Sequence, residues 1–255
     1  MLGLVIGGNL LLHQGYRFNE NAFKDNFERN GGIDSLVLMV GFAMALSSSS
    51  WMVLFIGSFT MGDENKERAY LRVVESGISR WKIVVSKFIL SALIAILFVF
   101  IFIVIHCILV AVFFGWNSLN TKMLLFFIQN FALLLIPLLA MLSILLLIYF
   151  TVKNELIVAV LFVFLAIRFS SIVGKLAIFA ESFKAIFLNI SKYSPSGVFN
   201  KISENAYRIF IDEGLKYQLD SSFVMELVPL IAVNILIIFV FIGISILVMN
   251  RRNLD

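Results

Sequence analysis

Long apolar stretches recur along this sequence, and they constrain its fold more than any other feature. One of them, FILSALIAILFVFIFIVIHCILVAVFF at residues 88–114, contains no Asp, Glu, Lys or Arg. A helix needs about 20 apolar residues to cross the hydrocarbon core of a bilayer, where every backbone polar group must be paired within the protein. Since 61% of the chain is hydrophobic, against roughly 45–50% in soluble domains, the sequence predicts an all-α integral membrane protein.

The apolar stretches predict a bundle of six membrane spans in a single transmembrane domain over residues 1–255. The spans lie at about 1–12, 33–61, 88–114, 123–150, 156–173 and 223–249. The stretch at 1–12 is too short to cross a bilayer, so we interpret it as the incomplete end of a first span. Pro137 falls within the fourth span, where it predicts a kink.

A charged segment, ENKERAYLRVVESGISRWKIVVSK, separates the second predicted span from the third. Leu71, Val74 and Ile78 fall at helical spacing and form one apolar stripe, which predicts a short amphipathic helix over residues 64–77. Gly77 is expected to end this helix. Ser79 is then placed to cap the segment that returns into the membrane.

Two interpretations of this amphipathic helix are open. It could rest on the membrane, with its basic side chains against anionic headgroups, or it could dock against a cytoplasmic protein. Glu67 and Glu75 suit an anionic lipid surface poorly, so the mixture of charges favours the protein partner.

The distribution of basic residues predicts the orientation of the chain. Nine Lys and Arg residues are concentrated in the short segments 61–87, 151–155 and 250–255. By the positive-inside rule these segments, and with them the C-terminus, face the cytoplasm. Residues 13–32 and 174–222 then face outside.

The outer segment 174–222 is too polar to span a membrane and too apolar for a free loop. Phe179, Phe183 and Phe187 fall at helical spacing, which predicts an amphipathic helix lying in the membrane interface. Pro195 is expected to break this helix. A second short helix is predicted over 203–210.

Four of the polar residues within the predicted spans are considered as candidates. Arg168 in the fifth span is costly in hydrocarbon and is therefore a functional candidate, although it could instead snorkel outward or pair with Glu181. His106, Asn130 and Asn234 are interpreted as residues that bond between helices rather than contact a substrate.

The sequence lacks the motifs of several catalytic classes. It contains no GxxxxGK[ST] phosphate loop, so the chain is not expected to hydrolyse ATP, and no HExxH or GxSxG motif of a protease or lipase. Two His and one Cys, Cys107, give no sign of a metal site. The basic residues lie between spans, so we predict no nucleic-acid partner.

The charged segment resembles the first cytoplasmic loop of the permeases of type-2 ABC exporters. In that family a helix of mixed charge leads into a small-residue turn, a Ser-Arg pair and a Lys that enters the next span. The matching residues, in order, are Glu67, Leu71, Gly77, Ser79, Arg80 and Lys87. The short TVKNE turn, the outer YSPSGVF segment and the basic RRNL terminus extend the resemblance over nearly the whole chain. The amphipathic helix that precedes the family's first full span has no counterpart in this sequence.

The resemblance implies a dimer of this permease, with itself or with a related permease, that carries cytoplasmic ABC ATPase subunits. ATP and Mg²⁺ would bind to those subunits, and this chain would hold no cofactor. The helix over 64–77 becomes a coupling helix seated in the ATPase. The residues implied in that contact are Glu67, Arg68, Leu71, Arg72, Val74, Glu75, Ser79, Arg80 and Trp81.

The resemblance also implies that the outer segment forms two re-entrant helices that cap the path of the substrate. The residues expected in this outer gate are Phe179, Phe183, Phe187, Tyr193, Pro195 and Phe199, with the turn between the helices running from Tyr193 to Phe199. Spans rich in Phe and Leu, with few polar residues, favour a lipidic or amphipathic substrate over a sugar. Within the family, small permeases resemble those that export antimicrobial or cytolytic peptides, or confer resistance to them, across a bacterial plasma membrane.

Two other functions fit the same spans. The chain could be an ATP-independent transporter, although such proteins usually show inverted repeats and midplane charges. It could also be a membrane immunity or scaffold protein that binds an effector. Co-purification with an ATPase would separate these functions from an exporter subunit.

Overall fold

A computed structural model describes residues 49–61, 74–114, 121–152, 154–211 and 221–251, and every regular element within them is helical. The helices are α1 (Ser49–Met61), α2 (Arg80–Phe114), α3 (Thr121–Thr151), α4 (Glu155–Phe162), α5 (Phe169–Phe179), α6 (Lys184–Tyr193), α7 (Pro195–Ile211) and α8 (Ser221–Arg251). A π turn (Val163–Ile167) joins α4 to the bend before α5, and a 3-10 turn (Glu181–Phe183) precedes α6.

Three of these helices are long and apolar enough to cross a membrane. They contain the segments Arg80–Ile105, Leu124–Thr151 and Ser221–Arg251, and α4 and α5 together count as a fourth span if the bent pair is one crossing. The all-helical, multi-pass prediction is therefore confirmed for the described residues. The predicted span at 1–12, and most of the span at 33–61, lie outside them, so the count of six stays a prediction.

The chain divides into two compact units. The larger unit comprises Ser49–Leu97, Leu135–Asn200 and Ser222–Asp255. Its best-buried element is the second half of α3, where the side chains from Ala140 to Leu146 are all buried. Helix α1 approaches this half of α3 closely, because a Cβ atom at Gly57 would collide with the side chain of Leu145.

The smaller unit comprises Met1–Ser48, Phe98–Leu134 and Lys201–Ser221. In the first half of α3, Phe126, Asn130 and Leu134 are fully buried. Their spacing of four residues places them on one face of the helix.

Helix α2 begins earlier than the third predicted span. It starts at Arg80 instead of residue 88, three residues after the turn at Gly77. The segment that was predicted to turn the chain back into the membrane is thus the first two turns of the spanning helix itself.

The fifth predicted span, 156–173, is not one straight helix. Its two halves, α4 and α5, meet at an angle of 62°. The N–H of Arg168 donates to the carbonyl of Val163 at 2.8 Å, which is the wider hydrogen-bond spacing of a π turn and a recognised cause of helix bends. Arg168 therefore lies at the bend between the two halves of this predicted span, and its side chain is exposed.

The amphipathic helix predicted through 179–187 is also corrected. Phe179 ends α5, Phe183 lies in the 3-10 turn and Phe187 lies in α6. Ala180 interrupts the helix with φ −117° and ψ 75°, so the three rings do not share one helical face. Sequence spacing could not show this break, since the apolar period continues through it.

Helix α7 begins at Pro195, well before the helix predicted over 203–210. Proline suits the first position of a helix, because its fixed φ matches and its missing N–H would be unpaired there anyway. Pro195 therefore starts a helix as well as ending one. The turn predicted from Tyr193 to Phe199 reduces to the single residue Ser194 between α6 and α7.

Candidate functional site

The base of α2 carries the turn that follows the predicted coupling helix. Gly77 has φ +87°, a conformation that glycine adopts without strain, and its N–H donates to the carbonyl of Val74 at 2.9 Å. Helix α2 then starts one residue after Ser79, at the position expected for a cap. Glu67, Arg68, Leu71 and Arg72 lie outside the described residues.

The exposed residues around this turn form a small surface of apolar and charged side chains, with Lys82 Nζ 5.9 Å from the centroid of the Trp81 ring. Glu75 and Ser79 are exposed, Ile78 is 44% exposed and Trp81 is 50% exposed. Val74 is half-buried. Two large apolar side chains between a carboxylate and an ammonium group can contact a protein surface that is partly apolar and partly charged.

Arg80 points away from this surface, toward the last turn of α8. Its guanidinium donates to the carbonyl of Met249 at 3.1 Å and to that of Asn250 at 2.9 Å. The last carbonyls of a helix lack partners within it and form the negative end of its dipole. A guanidinium offers several N–H donors to such a pair, so Arg80 caps the end of α8. We call this contact the base junction.

Lys87 makes a similar contact two turns further along α2. Its Nζ donates to the carbonyl of Thr60 at 3.2 Å, in the last described turn of α1. The hydroxyls of Thr60 and Ser91 lie 2.8 Å apart and share a hydrogen bond. Arg80, Lys87 and Ser91 recur at spacings of seven and four residues, so they line one face of α2.

The outer segment is held by a group of serines. Ser194 caps α7, because its Oγ accepts the N–H of Gly197 at 3.1 Å and donates to the carbonyl of Ser191 at 2.7 Å. Gly197 lies so close to the carbonyls of Ser191 and Lys192 that a Cβ atom would collide with them. Helices α6 and α7 therefore meet backbone to backbone.

The same serines bind the start of α5. The N–H of Ser170 donates to Ser196 Oγ at 3.0 Å, and Ser191 Oγ donates to the carbonyl of Ser170 at 2.8 Å. Amides in the first turn of a helix have no partner within it, so Ser196 supplies a cap from a distant part of the chain. We call Ser170, Ser191, Ser194 and Ser196 the serine cluster.

Asn234 connects α8 to the serine cluster. This residue is fully buried, and its Nδ2 donates to the carbonyl of Tyr193 at 3.3 Å and to that of Leu230 at 2.8 Å. Its Oδ1 has no hydrogen-bond partner among the described residues. We call the contact between Asn234 and Tyr193 the outer junction. It joins the last spanning helix to the backbone beside Ser194.

The residues predicted for the outer gate fall into two groups. Phe179 and Phe183, at the tip between α5 and α6, are 86% and 57% exposed. Pro195 and Phe199 are buried, while Phe187 and Tyr193 are half-buried. The structure thus places an exposed aromatic tip on a buried base that contains the serine cluster.

The other polar residues of the spans are placed separately. Arg168 and Glu181 are both exposed, and their pairing stays a prediction. The Nδ2 of Asn130 donates to its own helix at the carbonyl of Phe126, 2.9 Å away. His106 lies in α2, and its side chain is outside the described part of the structure.

The serine cluster and the base junction were not predicted as functional groups. One local signal was available, since Ser-Pro-Ser-Gly reads as a cap followed by the first residue of a helix. Nothing in the sequence pairs Ser170 with Ser196, or Arg80 with Met249. Among the described residues, no group of three or more His, Cys, Asp or Glu could hold a metal ion. The chemistry of both junctions is hydrogen bonding between helices.

Comparison with known families places these features in one matched region. The family model described as ABC-2 family transporter protein matches residues 12–249, a range that includes Arg80, the serine cluster and Asn234. No curated protein and no solved structure matches the chain.

Proposed function

Because this chain belongs to the ABC-2 family of transporter proteins and is a multi-pass membrane permease of that family, we propose that it exports an amphipathic or peptide substrate. The energy comes from ATP hydrolysed by a separate subunit. This chain then supplies the path through the membrane and the contact that receives the motion of the ATPase.

The base junction is the observation that carries this proposal. A permease that hydrolyses no ATP itself needs a stiff contact between its partner-binding segment and its spans. Arg80 follows the predicted coupling helix directly and bonds to the end of α8. A displacement of that segment would therefore reach a spanning helix through hydrogen bonds and not through a flexible loop.

The exposed side chains near Arg80 support a docking role for the segment. Ile78 and Trp81 remain exposed although they are apolar, and Glu75 lies beside them. In our proposal they join Leu71 and Arg72 at the ATPase surface. Arg80 serves a different purpose from the one the resemblance implied, because it secures the coupling segment to the rest of the chain.

The base junction also bears on orientation. It brings the end of α8 and the start of α2 to the same side of the protein. We propose that this side is cytoplasmic, together with the C-terminus, and that the aromatic tip of Phe179 and Phe183 lies outside. The tip and the serine cluster then form the outer gate, and a second permease completes the path.

The substrate class follows from the character of the exposed gate. Large apolar side chains beside Lys184 and Glu181 suit a molecule with one apolar and one polar face. We propose a membrane-active peptide as the cargo, exported from a bacterial cell for secretion or for resistance. Purified complexes should carry such a peptide when they are isolated from the native membrane.

The double variant Leu71→Asp with Arg72→Glu tests the proposal. We expect the chain to insert normally and to lose both its ATPase and its ATP-dependent export, because the apolar anchor and the charge of the coupling helix are changed together. The measurements are co-purification of an ATPase and transport by vesicles. Ile186→Asp with Lys184→Glu is the matched control on α6, and it should keep the ATPase bound.

Two outcomes would contradict the proposal. If the Leu71 and Arg72 variant keeps its ATPase, the segment is not the docking site. If the native chain transports its substrate without any ATPase, or binds an effector and transports nothing, the ATP-independent and immunity functions replace it.

A further inference from the structure

Helix α8 is buried along only one narrow stripe. The buried residues are Leu227, Leu230, Asn234, Ser245 and Met249. At about 100° per residue all five fall within a third of the helix circumference, and Leu227 and Ser245 lie five turns apart on the same line. Side chains on the other faces, such as Phe239 at 72%, are exposed. The helix is thus fixed to its own chain along a single line.

Both junctions lie on this stripe. Asn234 makes the outer junction, and the carbonyl of Met249 receives Arg80 at the base junction. A helix rises about 1.5 Å per residue, so the two contacts are separated by about 22 Å. Between them α8 is continuous, and a Cβ atom at Gly243 would meet no other atom within 4 Å.

The two contacts differ in how easily they break. The base junction has two hydrogen bonds from a charged donor, which are stronger than neutral ones. The outer junction is one neutral hydrogen bond at 3.3 Å, and the same Nδ2 keeps its bond to Leu230 when Tyr193 leaves. Breaking the outer junction therefore leaves Nδ2 with a partner.

We propose that α8 is a connecting rod that transmits displacement of the base junction to the serine cluster, with Asn234 as the positioning residue at its outer end. The inference rests on the proposed function, which makes the base the input and the outer segment the gate. When the coupling segment moves Arg80, α8 shifts along its axis and the bond between Asn234 and Tyr193 opens. The α6–α7 turn at Ser194 is then free to rearrange.

Hydrogen exchange in the purified full-length chain, in lipid nanodiscs without ATPase, tests the rod directly. Arg80→Ala should raise the exchange rate of peptides covering 191–200 by roughly threefold or more, because loss of the base contact loosens the distant cluster. Arg80→Lys should give a smaller increase, since a point charge keeps part of the contact. Lys87→Ala is the matched control on the same face of α2, because it removes the hydrogen bond to the Thr60 carbonyl in α1, and it should leave 191–200 unchanged.

A proline substitution in α8 provides a second test of the rod by hydrogen exchange. Val240 is exposed in the continuous part of α8, so Val240→Pro adds a hinge between the junctions, and Val240→Ala is its control. In the Val240→Pro background, Arg80→Ala should no longer change exchange at 191–200, whereas in the Val240→Ala background it should act as in the native chain.

Three results would contradict the connecting-rod proposal. Arg80→Ala could leave hydrogen exchange at 191–200 unchanged, or Lys87→Ala could raise it equally. The effect of Arg80→Ala could also persist in the Val240→Pro background. None of these outcomes depends on an ATPase. Failure of the rod is therefore distinguishable from failure of the exporter function, which is decided by ATPase co-purification.

Discussion

The two ends of α8 are held by different chemistry. At the base, a guanidinium bonds to two carbonyls at the end of a helix. At the outer junction, the neutral amide of Asn234 donates to the Tyr193 carbonyl beside the serine cluster, and Asn234 Oδ1 is left without a partner in the described part of the chain. A charge at the base can remain partly hydrated, whereas a charge beside the fully buried Asn234 would be costly.

This difference in hydrogen bonding indicates which of the two junctions is harder to break. Charge-assisted hydrogen bonds resist separation, while hydrogen bonds between neutral groups in membranes average only about 0.6 kcal/mol. The serine cluster gains its order from many weak bonds over three helices. Such a group can exchange one partner for another without leaving a charge unpaired. The base is thus the firm end and the outer segment the adaptable end.

The largest loss of stability is expected at Gly197, where α6 and α7 of the outer segment pack most closely. Gly197→Ala places a Cβ atom against the carbonyls of Ser191 and Lys192, and backbone atoms cannot rotate away as a side chain can. We expect a loss of about 2–3 kcal/mol in the free energy of unfolding, measured by denaturation in mixed micelles.

Gly243→Ala is the control for that variant. Its Cβ atom meets nothing within 4 Å, and replacing a helical glycine by alanine stabilises by roughly 0.5–1 kcal/mol. Equal stability of the two variants would show that α6 and α7 do not meet as closely as described.

The base junction should show the second largest effect. Arg80→Ala leaves two terminal carbonyls of α8 without their donor, and we expect a loss of about 1.5 kcal/mol, at the low end for charged groups because the site is partly exposed. The loss should shrink in high salt, which screens the guanidinium. A loss that is independent of salt would mean that packing of the side chain matters more than its charge.

The smallest effect is expected at the outer junction. Asn234→Leu removes one neutral bond to Tyr193, but it also removes the buried Oδ1 that lacks a described partner. We expect a change in unfolding free energy below about 1 kcal/mol. A loss as large as that of Arg80→Ala would make the outer junction the firm end and reverse the comparison. Ser171→Ala, at an exposed serine of α5, is the control.

Local patterns predicted much of the fold. The positions of α2, α3 and α8 follow from uninterrupted apolar stretches, because hydrocarbon leaves an apolar segment few alternatives to a helix. The end of a helix at Gly77 followed from turn chemistry. The function of a membrane permease followed from the resemblance that the order of motifs carries. The apolar spacing of Phe179 and Phe183 wrongly predicted one continuous helix, because a 3-10 turn can preserve such a spacing while it redirects the rings.

By itself, the sequence determined the helical, membrane-spanning character of this protein, because hydropathy and turn residues act over a few neighbours, and its resemblance to type-2 ABC permeases indicated the family. Only the tertiary structure decided the bend at Arg168, the serine cluster and the two junctions of α8. Arg80 and Met249 are 169 residues apart in the chain, and no local preference of either residue selects the other. Helix termini leave backbone groups unpaired, and which distant side chain pairs them depends on how the helices pack.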